Sequence, residues 1–156
     1  MIELLHQFCG PFQDIQSFGR SERLGDSGLS DLTALLRTYD GTLATLHAST
    51  SQWRHSFRIE LNYESGMIWL DGLNAPMPEL GPEMLILAKR TDNAAPNPPE
   101  DITRFEDTDS LAKETTAFLD HISGQSVMQT GTFQHAFDAL NALARCLASD
   151  TAIAAE

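Results

Sequence analysis

The chain has 156 residues, of which 42% are hydrophobic, and a formal net charge of −12. This length predicts a single domain, residues 1–156, with enough chain to enclose a hydrophobic core. The acidic balance argues against a nucleic-acid or anionic-membrane partner, because both bind basic surfaces, and no run approaches the roughly 18 apolar residues of a membrane span.

The N-terminal segment predicts a helix followed by a strand. Apolar residues recur through Met1–Cys9, and Gly10-Pro11 ends that helical pattern. A short strand is expected around Ile15–Phe18, and the polar stretch 20–29 is expected to be a loop. No basic segment followed by an apolar run is visible at the start, so no signal peptide is indicated and a cytoplasmic location is expected.

Four strands are predicted between residues 33 and 70. Asp40-Gly41 lies between the β-rich runs Thr33–Tyr39 and Thr42–Ser49. An Asp-Gly pair in that position is a strong hairpin signal, because glycine adopts positive φ without steric cost. Phe57–Tyr63 and Met67–Leu70 follow, joined by a short glycine-containing turn. Strands in such close succession form a meander, which predicts antiparallel pairing.

The second half of the chain changes from strands to helices, because its apolar residues begin to recur with a period of 3.6. The elements predicted there are strands at Met84–Leu87 and Ile102–Phe105, a helix from Asp109 or Ser110 to Gly124, and a helix that begins at Gly131 or Thr132. Both helices are expected to pack on the sheet through apolar stripes. These stripes are Leu111, Phe118, Leu119 and Ile122 in the first helix and Phe133, Phe137, Leu140, Leu143 and Leu147 in the second.

Strands first and helices afterwards predict an α+β fold. The expected architecture is an open, largely antiparallel sheet of about five to seven strands, with helices on one face. Leu43, Thr45 and His47 point to one side of their strand and Ala44, Leu46 and Ala48 to the other, so both faces carry apolar groups. Since the helices cover only one face, the other is expected to be free for dimerisation or for another domain.

Four stretches, taken in order, resemble the C-terminal domain of the Gfo/Idh/MocA oxidoreductases, the family of glucose–fructose oxidoreductase and inositol dehydrogenase. They are Asp40-Gly41-Thr42-Leu43-Ala44 with the run from Ser49 to Phe57, Glu64-Ser65-Gly66-Met67-Ile68, Thr115–Ile122 with Gly124, and Thr130–Leu147. Each motif alone is weak, but their order and spacing cover nearly the whole chain. The resemblance implies a substrate-binding and oligomerisation domain.

The departures from that family concern its catalytic parts. Complete members begin with a Rossmann domain that carries a glycine fingerprint for the dinucleotide, and this chain has no G-x-G-x-x-G and no Glu-Lys-Pro. On the family's G-x-H-h-h-D motif, Glu3 takes the Asp position, and the His would lie just before Met1. The resemblance therefore implies no catalytic and no cofactor-binding residue in this chain. NAD(P) is expected only together with an upstream Rossmann domain.

Gln52, Trp53, Arg54 and His55 form the candidate substrate site. They lie in the link between two predicted strands, and such loops commonly carry binding residues. Arg can hold a carboxylate or hydroxyl-rich ligand, and Trp can stack on a sugar face. In the alternative interpretation, Trp53 packs under the sheet and Arg54 forms a surface ion pair.

Other chemistry-bearing residues show no site pattern. The spacing of His6, His47 and His55 matches no metal-ligand motif, and no nucleophile motif is present. Cys9 and Cys146 are far apart and outside any motif, as expected for reduced thiols, although a disulfide stays open.

Two functions follow as hypotheses. In the first, the chain is the substrate-binding and oligomerisation domain of an NAD(P)-dependent sugar or polyol oxidoreductase, inactive alone. In the second, it is a stand-alone module for homo- or heterodimerisation. The expected partners are a second copy through the sheet face or a Rossmann-containing protein, with a sugar-like small molecule as the weakest possibility.

Overall fold

A computed structural model describes residues 1–20, 30–53, 56–72, 83–90, 97–105, 109–128 and 130–151. Its elements in chain order are α1 Ile2–Cys9, β1 Phe12–Arg20, β2 Asp31–Thr38, β3 Leu43–Ser49, β4 Arg58–Tyr63, β5 Gly66–Asp71, β6 Glu83–Lys89, β7 Glu100–Phe105, α2 Ser110–Ile122 and α3 Phe133–Thr151. The predicted α+β class is confirmed, and each predicted helix and strand is present. The expected loop at 20–29 lies mostly outside the described residues.

The strands divide between two sheets. Sheet 1 has the order β1-β2-β3 and sheet 2 the order β4-β5-β6-β7, with every neighbouring pair antiparallel. The sequence predicted one sheet. The short turn after β2 imposes a hairpin, whereas the longer link between β3 and β4 imposes no such pairing. The chain likewise forms two compact units, Met1–Gln52 with His121–Glu156, and Trp53–Asp120.

The β2–β3 hairpin forms at the predicted Asp-Gly turn. Gly41 has φ +89°, which a side chain would disfavour. The Thr38 amide donates to the Thr42 carbonyl at 3.0 Å, and the Asp40 carboxylate accepts from the Thr42 amide at 3.2 Å. These contacts fix the register that places Leu36 opposite Ala44.

The core of the first unit lies between sheet 1 and two helices. Alternate residues of β2 are buried, so one face of the sheet is apolar and packs against α1 and α3. The buried residues of this cluster are Phe12, Leu32, Ala34, Leu36, Leu46, Ala142 and Cys146. The other face of sheet 1, called here the outer face, is exposed at Phe18, Leu35 and Leu43.

Hydrogen bonds between side chains and main-chain atoms fix α3 on β1. The fully buried Ser17 hydroxyl donates to the Cys146 carbonyl, and the Ser17 amide donates to Ser149 Oγ at 3.2 Å. Arg145 donates to the carbonyl oxygens of Phe12 and Gln13 at 2.7 and 2.6 Å. The β1–β2 register shifts at this point, so the guanidinium binds carbonyls at the irregularity.

The prediction of which face of α3 packs on the sheet is wrong. Phe133, Phe137 and Leu140 are 88%, 57% and 66% exposed, and the helix meets the sheet through Ala142 and Cys146 instead. Small residues allow the close approach that the hydrogen bonds from β1 require, whereas phenylalanine rings would hold the backbones apart. The expected burial of the α2 stripe is also wrong, because α2 contains no buried residue.

The second unit contains sheet 2. Ile59 and Leu61 are buried, and Arg58, Glu60 and Asn62, which alternate with them on β4, are exposed. At the start of β5, a Cβ on Gly66 would lie 2.2 Å from the Ala88 carbonyl oxygen, so only glycine fits there. Within the described ranges, no helix is both long enough and apolar enough to cross a bilayer.

Candidate functional site

A polar cluster lies at the end of sheet 1, where β2 begins and β3 ends. Its centre is the Asp31 carboxylate. We call this carboxylate and the side chains that donate to it the Asp31 cluster. Arg20 donates from Nε at 3.2 Å and Nη2 at 3.0 Å, and Ser30 and Ser51 donate at 3.1 and 2.8 Å. Ser49 Oγ is a further donor.

The electrostatics of this cluster follow from its donors. Hydrogen bonds from Ser49, then Ser51 and then Arg20 hold the pKa of Asp31 well below its usual range. The carboxylate therefore stays ionised and fully engaged, which suits a structural role better than proton transfer. The cluster also fixes the exit from β3, because the Thr50 amide donates to the Ser30 carbonyl at 2.8 Å.

The candidate residues Gln52 and Trp53 leave the sheet directly after this cluster. Gln52 Nε2 lies 3.5 Å from Nδ1 of His47, so the Gln52 amide lies beside the imidazole ring of that β3 residue. Trp53 is fully exposed, which contradicts the alternative in which it packs under the sheet. Arg54 and His55 lie outside the described residues, and their part in the site stays a prediction.

A second cluster, on β4 and β5, was not found from the sequence. The Arg58 guanidinium stacks 4.4 Å from the centre of the Trp69 ring and donates to Asp71 Oδ2 at 3.0 Å. Trp69 Nε1 is buried and has no hydrogen-bond partner among the described residues. The signal was available: in the register of the hairpin, Arg58 faces Asp71 and is diagonal to Trp69, so all three side chains share one face.

The remaining ionisable residues form no metal site. Among the residues that the structure describes, no group of three His, Cys, Asp or Glu side chains could hold a metal ion. His135 Nδ1 lies 3.9 Å from Glu3 Oε1, where α3 contacts α1, and this is a pair only. Cys9 and Cys146 are free thiols, and burial raises the pKa of both.

No protein-family model matches the sequence, and no curated protein matches it either. Solved structures do match. UDP-N-acetylglucosamine 3-dehydrogenase GnnA from Acidithiobacillus ferrooxidans is 17% identical with a TM-score of 0.72, over 96% of this chain and 44% of its own. An oxidoreductase from Thermotoga maritima is 15% identical with a TM-score of 0.68, and the match covers 96% of this chain and 39% of that enzyme.

The WlbA dehydrogenase from Bordetella pertussis, solved in complex with NADH and UDP-GlcNAcA, is 14% identical with a TM-score of 0.64, over 96% of this chain and 40% of its own. The chain therefore spans less than half the length of each of these enzymes. At such low identity the match establishes the fold alone. The fold neighbours are Gfo/Idh/MocA-type oxidoreductases, so the predicted resemblance to the C-terminal domain of that family is confirmed at the level of fold.

Proposed function

We propose that the chain is the substrate-binding and oligomerisation domain of an NAD(P)-dependent oxidoreductase that acts on a sugar or polyol. One observation carries the proposal: 96% of the chain matches a part of GnnA that makes up 44% of that enzyme. Two of the matched enzymes have a UDP-linked sugar in their names or complexes, which supports a sugar derivative as the substrate class.

The residues of this chain do not fit a dinucleotide site. Such a site needs a parallel βαβ unit with a glycine-rich turn at the start of its helix. Every strand pair in the described part of the chain is antiparallel, and the sequence has no G-x-G-x-x-G. The cofactor that supplies hydride must therefore be held by another domain or another chain, and no step through it is assigned to these residues.

The first test of this proposal is cofactor binding by the purified chain. We expect no enhancement of NADH or NADPH fluorescence on mixing, and no NAD(P)-dependent turnover of UDP-N-acetylglucosamine, glucose or inositol. Saturable binding of either nucleotide, or turnover of any of these substrates, would contradict the assignment.

The second test concerns the link that holds Gln52, Trp53, Arg54 and His55. Trp53 is fully exposed and can stack on a sugar ring. The role we propose for Arg54 and His55 is to bind the polar groups of the same ligand. In a Trp69→Phe variant, tryptophan fluorescence reports Trp53 alone, and we expect UDP-N-acetylglucosamine to change it saturably. The matched Trp53→Phe variant should show no change. A Trp53 signal that no sugar or sugar acid alters would argue against the site.

A second candidate function is that of a stand-alone interaction module. The observation that favours it is the outer face of sheet 1, where Phe18, Leu35 and Leu43 are 54%, 56% and 77% exposed. In this alternative the face pairs with a second copy or with a Rossmann-containing partner. A Leu35→Glu substitution would then abolish the association, and an unchanged oligomeric state would exclude this use of the face.

A further inference from the structure

The centre of the outer face of sheet 1 carries no charged side chain, although the chain has a net charge of −12. Ion pairs lie at the two ends of this face, Arg20 with Asp31 at 3.0 Å and Arg37 with Asp14 at 2.5 Å. The strand register places six exposed residues between these pairs: Gln16, Phe18, Thr33, Leu35, Thr45 and His47. Four of the six are polar and two are apolar, so the centre can both form hydrogen bonds and stack.

This mixture suits a saccharide better than a protein surface. The centre of a protein–protein contact is usually more apolar than its rim. An apolar protein surface on this face would bury two threonine hydroxyls, a carboxamide and an imidazole without hydrogen-bond partners, which costs free energy. A sugar ring presents hydroxyl groups around its edge and C–H groups on its faces. It can therefore contact the polar and the apolar side chains of this centre together.

Three of these residues form a row across the sheet. Phe18 pairs with Thr33, and Thr33 pairs with His47, so their side chains lie side by side on the outer face. We call these three residues the Phe18 row. Neighbouring strands lie about 4.8 Å apart, so the row spans about 10 Å, enough for one pyranose ring with its substituents. The Phe18 ring is 54% exposed and offers a flat surface for the C–H face of a sugar.

The imidazole at the end of the row has a defined hydrogen-bond donor. Gln52 Nε2 lies 3.5 Å from His47 Nδ1, and a carboxamide nitrogen can only donate, so Nδ1 is the acceptor. In this tautomer the ring hydrogen is on Nε2. His47 is exposed, so Nε2–H can donate to a ligand hydroxyl. The Thr33 hydroxyl beside it can donate as well as accept.

The Asp31 cluster holds this part of the sheet in place. Asp31 and Ser49 form the next row of the register, and the Asp31 carboxylate accepts hydrogen bonds from Ser49 and Ser51. The backbone on both sides of Gln52 Cα is thereby ordered up to Ser51, the residue before it. A surface that is ordered before binding loses little conformational entropy when the ligand arrives.

We propose that the Phe18 row is a sugar-binding subsite. A pyranose ring stacks on Phe18, and its hydroxyl groups form hydrogen bonds with the Thr33 hydroxyl and with His47 Nε2–H. The sugar class rests on the proposed function, and the subsite adds contacts on sheet 1 to those proposed for the link after Ser51. Because the row is exposed, a bound sugar keeps much of its surface in water, and we expect a Kd of about 1 mM.

The test follows the amide resonances of the whole chain by ¹H–¹⁵N NMR during titration with UDP-N-acetylglucosamine to about 10 mM. We expect saturable shifts at Phe18, Thr33 and His47. Titration with UDP and with N-acetylglucosamine separately identifies the contacting part, and we expect the sugar alone to shift the same three amides. Shifts caused by UDP but not by N-acetylglucosamine would overturn the proposal.

Variants separate the ring and the donor. Phe18→Leu keeps an apolar side chain and removes the stacking ring, and His47→Ala removes the donor nitrogen. Each should weaken binding by about fivefold. Leu43→Ala is the matched control, because Leu43 is 77% exposed at the other end of the same face, and its Kd should equal that of the wild type. Equal affinities for all three variants would contradict the subsite.

Two further outcomes would overturn the proposal in distinguishable ways. If UDP-N-acetylglucosamine alters the Trp53 fluorescence of Trp69→Phe but shifts no amide of the Phe18 row, the subsite is wrong and the proposed function stands. If it alters neither, both fail. Shifts of the Phe18 row that depend on protein concentration and not on sugar would instead assign this face to a second copy of the chain.

Discussion

Arg145 is expected to be the strongest polar determinant of how α3 sits on sheet 1. Its guanidinium donates two hydrogen bonds, to the carbonyls of Phe12 and Gln13, at 2.7 and 2.6 Å. A hydrogen bond from a charged donor contributes about 1.5 to 3 kcal/mol when buried. One of the two contacts is exposed, so we expect Arg145→Ala to lower the free energy of unfolding by about 2 to 3 kcal/mol.

The assay is urea unfolding followed by far-UV circular dichroism. For an m-value of about 2 kcal/mol/M, the expected loss lowers the midpoint by roughly 1 M. Arg145→Lys should fall between wild type and Arg145→Ala, because lysine retains the charge and loses the two-pronged geometry. In Arg145→Ala, hydrogen exchange should accelerate more at the amides of α3 and β1 than at the amides of sheet 2.

The control is Arg37→Ala, which removes an exposed ion pair with Asp14. Exposed pairs contribute about 0.2 to 1 kcal/mol, so this change should leave the midpoint almost unchanged. The reasoning fails if Arg145→Ala lowers the free energy of unfolding by less than Arg37→Ala does. The carbonyls at the irregularity of β1 would then be satisfied without the guanidinium.

Three further predictions concern single residues. Gly66→Ala should lower the free energy of unfolding, measured by thermal melting, by about 2 to 4 kcal/mol, because its Cβ would lie 2.2 Å from a backbone oxygen of β6. Gly41→Ala meets open space, so it should lower the free energy of unfolding by only about 1 to 2 kcal/mol, the cost of its positive φ. Equal losses for the two variants would refute the contact argument. The folded-state pKa of Asp31 is lowered, so its contribution to stability is present above the unfolded value near 4 and is lost as the pH falls below it. The difference in stability between wild type and Asp31→Asn should accordingly shrink between about pH 5 and about pH 2, and a difference independent of pH would count against it. Burial raises the pKa of both Cys9 and Cys146, but only Cys146 is fully buried. A thiol reagent at mildly alkaline pH should therefore label Cys9 first and Cys146 only when the protein unfolds.

Local chemistry explains which parts of the fold could be predicted from the sequence. The turn at Asp40-Gly41 depends on residues within the turn itself, and it forms as expected. Alternation along β2 likewise identifies Leu32, Ala34 and Leu36 as inward-facing. The division into two sheets depends on pairing between distant strands, for which the link between β3 and β4 gives no local signal.

The packing face of α3 was predicted wrongly for a physical reason that hydrophobicity alone does not reveal. A search for the most apolar stripe selects Phe133 and Phe137, because it ranks residues by size and ignores hydrogen bonds. The sheet contact is instead made by small residues, together with Arg145. Arg145, a charged residue outside the apolar stripe, is the residue of α3 that reaches the main chain of β1.

The candidate site stays a prediction, and the sequence supports it only through its location. Loops between strands favour binding residues, and Trp53 is exposed as a stacking residue must be. The Asp31 cluster, which fixes the chain just before that link, assembles side chains from β1, β2 and β3, and no spacing along the sequence connects them. The stack of Arg58 on Trp69 could have been found by writing the hairpin register across β4 and β5.

Polar contacts fix both ends of sheet 1. Arg145 and Ser17 fix α3 through main-chain atoms, so its outer stripe needs no apolar contact within the described part of the unit to hold its position. The Asp31 cluster fixes the exit of β3 in the same manner. A surface that such contacts hold in place loses little conformational entropy on binding. Under the proposed function, the contacts that fix Ser49 and Ser51 give Trp53 a rigid support directly before the proposed ligand site.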